Sequence, residues 1–125
     1  MHLGQGDINT ADIQQLKAAG IRIGISTHDR AELDRALALE PDYIALGPIY
    51  ETILKKMKWN PQGLDKLSRW KSRIAPIPLV AIGGLTPERG VMALDSGADS
   101  VCVVTDVLLH KDPVQRVKEW LTVTG

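Results

Sequence analysis

Four short apolar runs, separated by amphipathic stretches, constrain the fold of this chain more than any other feature. The runs are rich in Ile, Val, Leu and Ala, and none alternates cleanly between apolar and polar residues: IRIGIS (21–26), YIALG (43–47), PLVAIG (78–83) and SVCVVT (100–105). Continuous apolar runs of this length are typical of parallel strands covered on both faces. The sequence therefore predicts a parallel sheet, preceded by a short extra strand at HLG (2–4).

Helix-start residues punctuate the stretches between the runs. Four residues are predicted to cap helices at their first turn: Thr10, Asp29, Thr86 and Asp112. Asp29 precedes Glu32 in a capping-box pattern, and a proline follows both Thr86 and Asp112 at the first helical position. Strand and helix thus alternate along one domain, residues 1–125, which predicts an α/β fold of parallel strand–helix units with right-handed crossovers.

Composition and charge exclude several classes of partner. Fifteen basic residues balance fifteen acidic ones, so no long-range field draws the chain to nucleic acid or to a membrane surface. The single cysteine, Cys102, excludes an intramolecular disulfide and fits a reducing compartment. No signal-peptide core and no run near the ~20 apolar residues of a membrane span is present. We expect a cytoplasmic protein whose anion site, if it has one, is built locally.

Ligands of parallel α/β proteins collect at the carboxyl ends of the strands, so candidate site residues follow from the strand positions. These candidates are Gln5, Asp7, Ser26, His28, Thr52, Lys55, Gly83, Gly84 and Thr105. The loop 47–63 is about twice the usual length, which indicates a functional loop.

The glycine pair, Gly83 and Gly84, has two interpretations. Either the pair permits a turn with positive φ, or it opens the backbone to a ligand at the start of the next helix. Thr105 follows the neighbouring strand and offers a hydroxyl and an N–H. Two adjacent strand ends of this kind form the usual phosphate site of a (β/α)8 barrel, so we interpret the glycines as clearing space for a phosphate.

Alternatives stay open for the other candidates. Ser26 and His28 also suit a helix start, and Lys55 with Lys56 also suits a solvated loop. Asp7 is either a turn residue or a carboxylate ligand of a hard cation such as Mg²⁺. Cys102 is predicted to lie in the core. The three tryptophans are predicted to pack helices on the sheet: Trp59, Trp70 and Trp120.

Six stretches of the chain resemble the carboxyl-terminal part of the thiamine phosphate synthase family, in the same order and with similar spacing. They are HLGQGD, GISTH, DYIALGPIYETILKK, PQGL, VAIGG and ADSVCVVTDV. The resemblance implies a TIM (β/α)8 barrel and a transferase of thiamine biosynthesis. That family joins 4-amino-5-hydroxymethyl-2-methylpyrimidine diphosphate to a thiazole phosphate, releases pyrophosphate and uses Mg²⁺ as its cofactor.

The resemblance also implies a role for each matching residue. Asp7 would be the second Mg²⁺ ligand, and Ser26 and Lys55 would bind the diphosphate and stabilise it as it leaves. The remaining residues would bind the thiazole phosphate: Thr52, Ile53, Leu54, Gly84, Val104 and Thr105. Gly6, Thr105 and Asp106 depart from the family pattern, since the family has an acidic residue at the first position and Ser-Ala at the other two. Thr105 keeps a hydroxyl, so that change is mild. Asp106 places a negative charge beside the phosphate site.

The matched part begins at the end of barrel strand 4 and runs to helix 8, so we expect the second half of a barrel with its first half absent. Such a chain would be inactive alone, and it would associate with itself or with a chain carrying the missing strands. Two other functions remain open: a relative of the thiazole tautomerases, and a non-catalytic α/β fragment that binds phosphate.

Overall fold

The computed structural model describes residues 1–51 and 61–125 of the chain. In these ranges five parallel strands form one sheet: β1 (His2–Leu3), β2 (Gly24–Thr27), β3 (Tyr43–Leu46), β4 (Leu79–Ile82) and β5 (Ser100–Cys102). Their order in the sheet is the order along the chain, and every neighbouring pair is parallel. The predicted parallel sheet, including its short first strand, is confirmed.

Within the described ranges, six helices connect or follow the strands. They are α1 (Ile13–Ala18), α2 (Arg30–Leu37), α3 (Leu64–Ile74), α4 (Pro87–Asp95), α5 (Thr105–Leu108) and α6 (Pro113–Thr124). The predicted caps Asp29, Thr86 and Asp112 are confirmed, because each side chain accepts a hydrogen bond from a backbone N–H in the first turn of its helix. The predicted Thr10 cap is wrong. Residues 7–9 form a 3-10 turn that ends at Thr10, and the Asp12 side chain caps α1 instead.

The hydrophobic core lies between one face of the sheet and the helices. Leu3, Ile25, Ile44 and Leu79 are buried there against helix residues such as Trp70. Consecutive strand order with crossovers of one hand places all connecting helices on the same side of a sheet. This parallel five-stranded sheet with its single helical layer is a TIM-like (β/α) fold.

The opposite face, called the inner face here, was expected to be covered, but no helix covers it within residues 1–51 and 61–125. It carries side chains that are half-buried or exposed: His2, Ser26, Tyr43, Val80, Ile82, Ser100 and Cys102. The expected burial of Cys102 is therefore wrong, because this cysteine is exposed on that face. The strand sequences are continuously apolar because both faces carry apolar residues, although the described helices cover one face and leave the other without a helix.

The last helix also differs from its amphipathic pattern. Trp120 of α6 is buried, as is Trp70 of α3, which confirms the packing role predicted for both, whereas Trp59 lies outside the described residues. Leu121 and Val114 of α6 are 64% and 68% exposed, so much of its apolar face has no cover within the described part of the chain. Across the ranges described, no helix is both long and apolar enough to cross a membrane.

Candidate active site

A cavity of about 470 Å³ opens at the carboxyl ends of the strands. Most of the residues proposed from the sequence line it: Gln5, Asp7, Ser26, His28, Gly83, Gly84, Val104 and Thr105. Because parallel strands end at the same edge, residues up to 100 positions apart in the chain meet here. Four further candidates, Thr52, Ile53, Leu54 and Lys55, lie outside the described residues.

Ser26 belongs to a chain of hydrogen bonds that the sequence did not indicate. Its Oγ lies 2.7 Å from His2 Nε2, and His2 Nδ1 lies 2.8 Å from the Tyr43 hydroxyl. The His2 and Tyr43 rings stack, with centroids 5.7 Å apart and planes inclined by 20°. The register explains the contact, because His2, Gly24 and Tyr43 are neighbours across three strands and Gly24 leaves room for the Tyr43 ring. Strand pairing was the signal needed to find His2 and Tyr43.

The loop after β1 supplies an amide and a carboxylate to the same cavity. Gln5 Nε2 donates to the Ser26 carbonyl oxygen at 2.8 Å, while Gln5 Oε1 is buried and has no hydrogen-bond partner in the described structure. Asp7 Oδ2 accepts from the Gly4 N–H at 2.9 Å. That bond fixes the carboxylate at the mouth of the cavity, where the rest of the Asp7 side chain is exposed.

Glycine is required at positions 83 and 84, because the neighbouring backbone of residues 48–51 leaves no room for a side chain. Both have positive φ, +106° and +66°, which side chains rarely allow. A Cβ on Gly83 would lie 2.6 Å from Pro48 Cα, and a Cβ on Gly84 would lie 2.3 Å from the Glu51 carbonyl oxygen. The positive-φ interpretation is therefore confirmed, and close packing against residues 48–51 is a second reason for the pair. Both glycines also line the cavity.

Asp106 does not leave a free negative charge beside Thr105, as the sequence suggested. Arg116 donates to both of its carboxylate oxygens at 2.9 Å, and Trp120 Nε1 donates to Oδ2 at 2.6 Å. Burial alone would raise the pKa of Asp106, but the hydrogen bonds from Arg116 and Trp120 and the Arg116 charge outweigh it and lower that pKa. The Asp106 charge is thereby neutralised on the α6 side of the cavity.

His28 acts at the start of α2, which is one of the two roles considered for it. Its Nδ1 lies 2.7 Å from Glu32 Oε1, and its backbone N–H donates to the same oxygen at 3.1 Å. Lys66 Nζ donates to the His28 carbonyl oxygen at 2.9 Å. Burial lowers the pKa of Lys66, and nearby Asp29 partly offsets that shift. His28 thus ties α2 to α3 beside the cavity.

The donors available to a metal ion are few. Within residues 1–51 and 61–125, no group of three His, Cys, Asp or Glu side chains is arranged to hold a metal ion. Asp106 is engaged by Arg116, which leaves Asp7 as the carboxylate at the cavity mouth within the described ranges. One carboxylate fits Mg²⁺ when substrate phosphates and water supply the other ligands, which is the usual arrangement for this ion.

Consecutive parallel strands, one layer of helices and a cavity at the strand ends define a TIM-like α/β protein with its ligand site at the carboxyl edge. The family model for thiamine monophosphate synthase matches residues 1–107, and the chain belongs to this family.

Known relatives agree with that assignment. The chain is 52% identical over its whole length to a thiamine-phosphate synthase of Rhizobium etli and covers 61% of that protein. It is 42% identical to one of Citrobacter koseri and covers 59% of it. A thiamine phosphate pyrophosphorylase structure from Pyrococcus furiosus superposes with a TM-score of 0.80 at 25% identity, covering 98% of this chain and 57% of that one. The chain thus spans about three fifths of the length of these relatives.

Proposed function

We propose that this chain carries part of the active site of a thiamine-phosphate synthase, a transferase. The reaction joins 4-amino-5-hydroxymethyl-2-methylpyrimidine diphosphate to a thiazole phosphate and releases pyrophosphate. The observation that carries the proposal is the cavity at the carboxyl edge, which brings Asp7, Ser26, Gly84 and Thr105 together in a member of this family. Catalysis in the cytoplasm is part of the proposal.

The residues of the cavity suit a reaction that needs no protein nucleophile. The bond between the pyrimidine methylene carbon and the diphosphate oxygen breaks, and the thiazole nitrogen forms the new bond to that carbon. The Ser26 hydroxyl donates a hydrogen bond to the leaving diphosphate, and Lys55 adds a positive charge to it. Preorganised donors of this kind stabilise the charge that develops on a leaving group.

The acceptor substrate is positioned on the other side of the cavity. We assign its phosphate to the backbone around Gly84 and to Val104 and Thr105, together with Thr52, Ile53 and Leu54. Val104 and Thr105 follow β5, and Gly84 follows the adjacent β4. Holding the two substrates in line lowers the entropic part of the barrier.

Magnesium, when bound, would supply positive charge to the diphosphate as it leaves. We assign the contribution of this chain to Asp7, whose carboxylate is fixed by the Gly4 N–H at the cavity mouth. Further ligands come from the substrate phosphates and water. Asp7 alone is too small a donor set to hold the ion without them.

We also propose that further strands complete the sheet into a closed barrel. Within the described structure β1 and β5 are edge strands, and the inner face is partly exposed. An apolar groove lined by Val101, Val117 and Leu121 runs beside β5. Closure would pair both edges and cover these side chains, as in a (β/α)8 barrel. These strands would correspond to the part of the relatives' sequences that this chain does not cover.

An activity assay tests the proposal. The protein is incubated with Mg²⁺ and both substrates, alone and together with a polypeptide that carries the missing part of a relative such as the Rhizobium etli protein. We expect thiamine phosphate and pyrophosphate to form in the mixture, and Ser26→Ala to slow the reaction at least ~10-fold. Ser96→Ala is the matched control, because Ser96 caps the far end of α4 and does not line the cavity.

Phosphate binding without pyrophosphate release in the completed mixture would contradict the synthase proposal. It would favour the non-catalytic phosphate-binding function instead. Turnover of a thiazole phosphate in the absence of the pyrimidine diphosphate would favour a tautomerase.

A further inference from the structure

His2 and Tyr43 form a chain of hydrogen bonds that leads to Ser26 on the inner face of the sheet, and this chain is called the relay here. The three side chains come from β1, β3 and β2, and two hydrogen bonds of 2.8 Å and 2.7 Å connect them through the two nitrogens of the His2 ring. We propose that His2 and Tyr43 are positioning residues, which hold the Ser26 hydroxyl with its proton directed into the cavity as a donor to an anionic oxygen. This inference rests on the proposed function of Ser26 as a ligand of the diphosphate.

The His2 ring is neutral in this arrangement. Partial burial of the His2 ring and the nearby N-terminal ammonium lower the pKa of His2 from its ordinary value of 6.5, so the uncharged form predominates at neutral pH. A neutral imidazole has one N–H and one bare nitrogen. Its two neighbours must therefore take opposite roles, one as donor to the ring and the other as acceptor from it.

The chemistry of the two hydroxyls decides which nitrogen carries the proton. The Tyr43 phenol is far more acidic than an aliphatic hydroxyl, with an ordinary pKa of about 10, so it is the better donor and the poorer acceptor. Burial raises the pKa of Tyr43 further, which keeps its proton on the oxygen. Tyr43 therefore donates to Nδ1, and Nε2–H donates to Ser26 Oγ.

The hydrogen bond from His2 fixes the direction of the Ser26 hydroxyl proton. Because its oxygen accepts from His2, its own proton is directed away from the ring, and the residue lines the cavity. The reverse arrangement, with Ser26 donating to Nε2, would direct oxygen lone pairs at the ligand and repel an anion. Hydrogen bonds in series also polarise one another, which makes the Ser26 hydroxyl a stronger donor.

Nitrogen-15 spectra of the histidine rings test the inference in the chain itself. We expect His2 to be the Nε2–H tautomer at neutral pH, and Tyr43→Phe to convert it to a mixture of tautomers. The Phe ring keeps the stacking and the packing over Gly24, so this variant is expected to fold. Tyr50→Phe is the matched control, because Tyr50 packs against Arg89 rather than His2. His28 serves as an internal reference, since its Nδ1 faces the Glu32 carboxylate and must carry a proton.

Titration with inorganic pyrophosphate gives a second readout. We expect Ser26→Ala to weaken binding ~10-fold and Tyr43→Phe ~3-fold, with no change in Tyr50→Phe. A His2 ring that is charged or protonated at Nδ1, or a tautomer unaffected by Tyr43→Phe, would overturn the relay. If the wild-type chain does not bind pyrophosphate, the proposed function of Ser26 fails, and the tautomer spectra still decide whether the relay exists.

Discussion

Asp106, the residue that follows Thr105, forms a bidentate ion pair with Arg116. Thr105 is the residue assigned to the acceptor phosphate. Arg116 Nε and Nη2 each donate to a carboxylate oxygen of Asp106 at 2.9 Å, and the side chains are 18% and 11% exposed for Arg116 and Asp106. The pair fixes α5 against α6 and removes the net charge that Asp106 alone would place near a phosphate. An acidic side chain at this position is thus compatible with an anion site.

The pair predicts a specific loss of stability. Asp106→Ala removes the acceptor of the Trp120 N–H and of two Arg116 N–H groups, while Arg116 still donates to Glu119. We therefore expect the free energy of unfolding to fall by ~2 kcal/mol at neutral pH. The folded-state pKa of Asp106 is below its ordinary value of 3.8, so its contribution is present above pH 3.8 and disappears as pH falls through the lower value. Denaturant unfolding of both forms across this range measures the difference. A difference that persists in strong acid, or is absent at neutral pH, would contradict the assignment.

Gly84 gives a second prediction that separates packing from strain. Gly84→Ala must adopt a φ of +66° and also place its Cβ 2.3 Å from the Glu51 carbonyl oxygen, so we expect it to destabilise the fold by roughly 3 kcal/mol. Gly20→Ala is the matched control, because Gly20 has a φ of +80° and open space around it. We expect Gly20→Ala to lower the free energy of unfolding by only about 1 kcal/mol. Equal losses in thermal unfolding would show that the contact with Glu51 is unimportant.

Asp7 is expected to determine the Mg²⁺ requirement. Asp7→Asn keeps the shape of the side chain and removes its charge, so the Mg²⁺ concentration needed for half-maximal pyrophosphate binding should rise ~10-fold or more. Calorimetric titrations at several Mg²⁺ concentrations measure it. Asp95→Asn, at the exposed end of α4, is the control for loss of one negative charge. The same Mg²⁺ dependence in both variants would show that Asp7 is a turn residue and not a ligand of the ion.

Lys55 and Lys56 are an adjacent pair in the loop predicted from the sequence, and both lie outside the described residues. If Lys55 neutralises the diphosphate, Lys55→Ala should lower turnover of the completed enzyme ~10²-fold. Lys56→Ala should have little effect, because neighbouring side chains in a loop rarely point the same way. Steady-state rates with saturating Mg²⁺ compare the two. Small and similar effects of the two substitutions on turnover would indicate that both lysines are solvated charges.

The sequence predicted the parallel strands, their alternation with helices and most of the cavity residues, because these depend on chain-local patterns. Apolar runs and caps locate the strands and helices, and parallel strands then bring Asp7, Ser26 and Thr105 to one edge. The relay through His2 and Tyr43 could not be predicted, since it depends on the register of three strands. The exposure of Cys102 was missed for a related reason. Strand composition does not show which face the helices leave uncovered.

Phosphate binding at the carboxyl edge of the sheet is tested most directly by a backbone amide NMR titration of the uniformly labelled protein. Pyrophosphate and Mg²⁺ are added first, followed by thiamine phosphate. We expect the largest shifts with pyrophosphate at Asp7 and Ser26, and we expect thiamine phosphate also to shift Gly84, Val104 and Thr105. These residues surround one cavity at the strand ends, whereas the groove beside β5 should stay unchanged. Shifts confined to other surfaces, or none at millimolar ligand, would contradict the assignment of this edge as the phosphate-binding site.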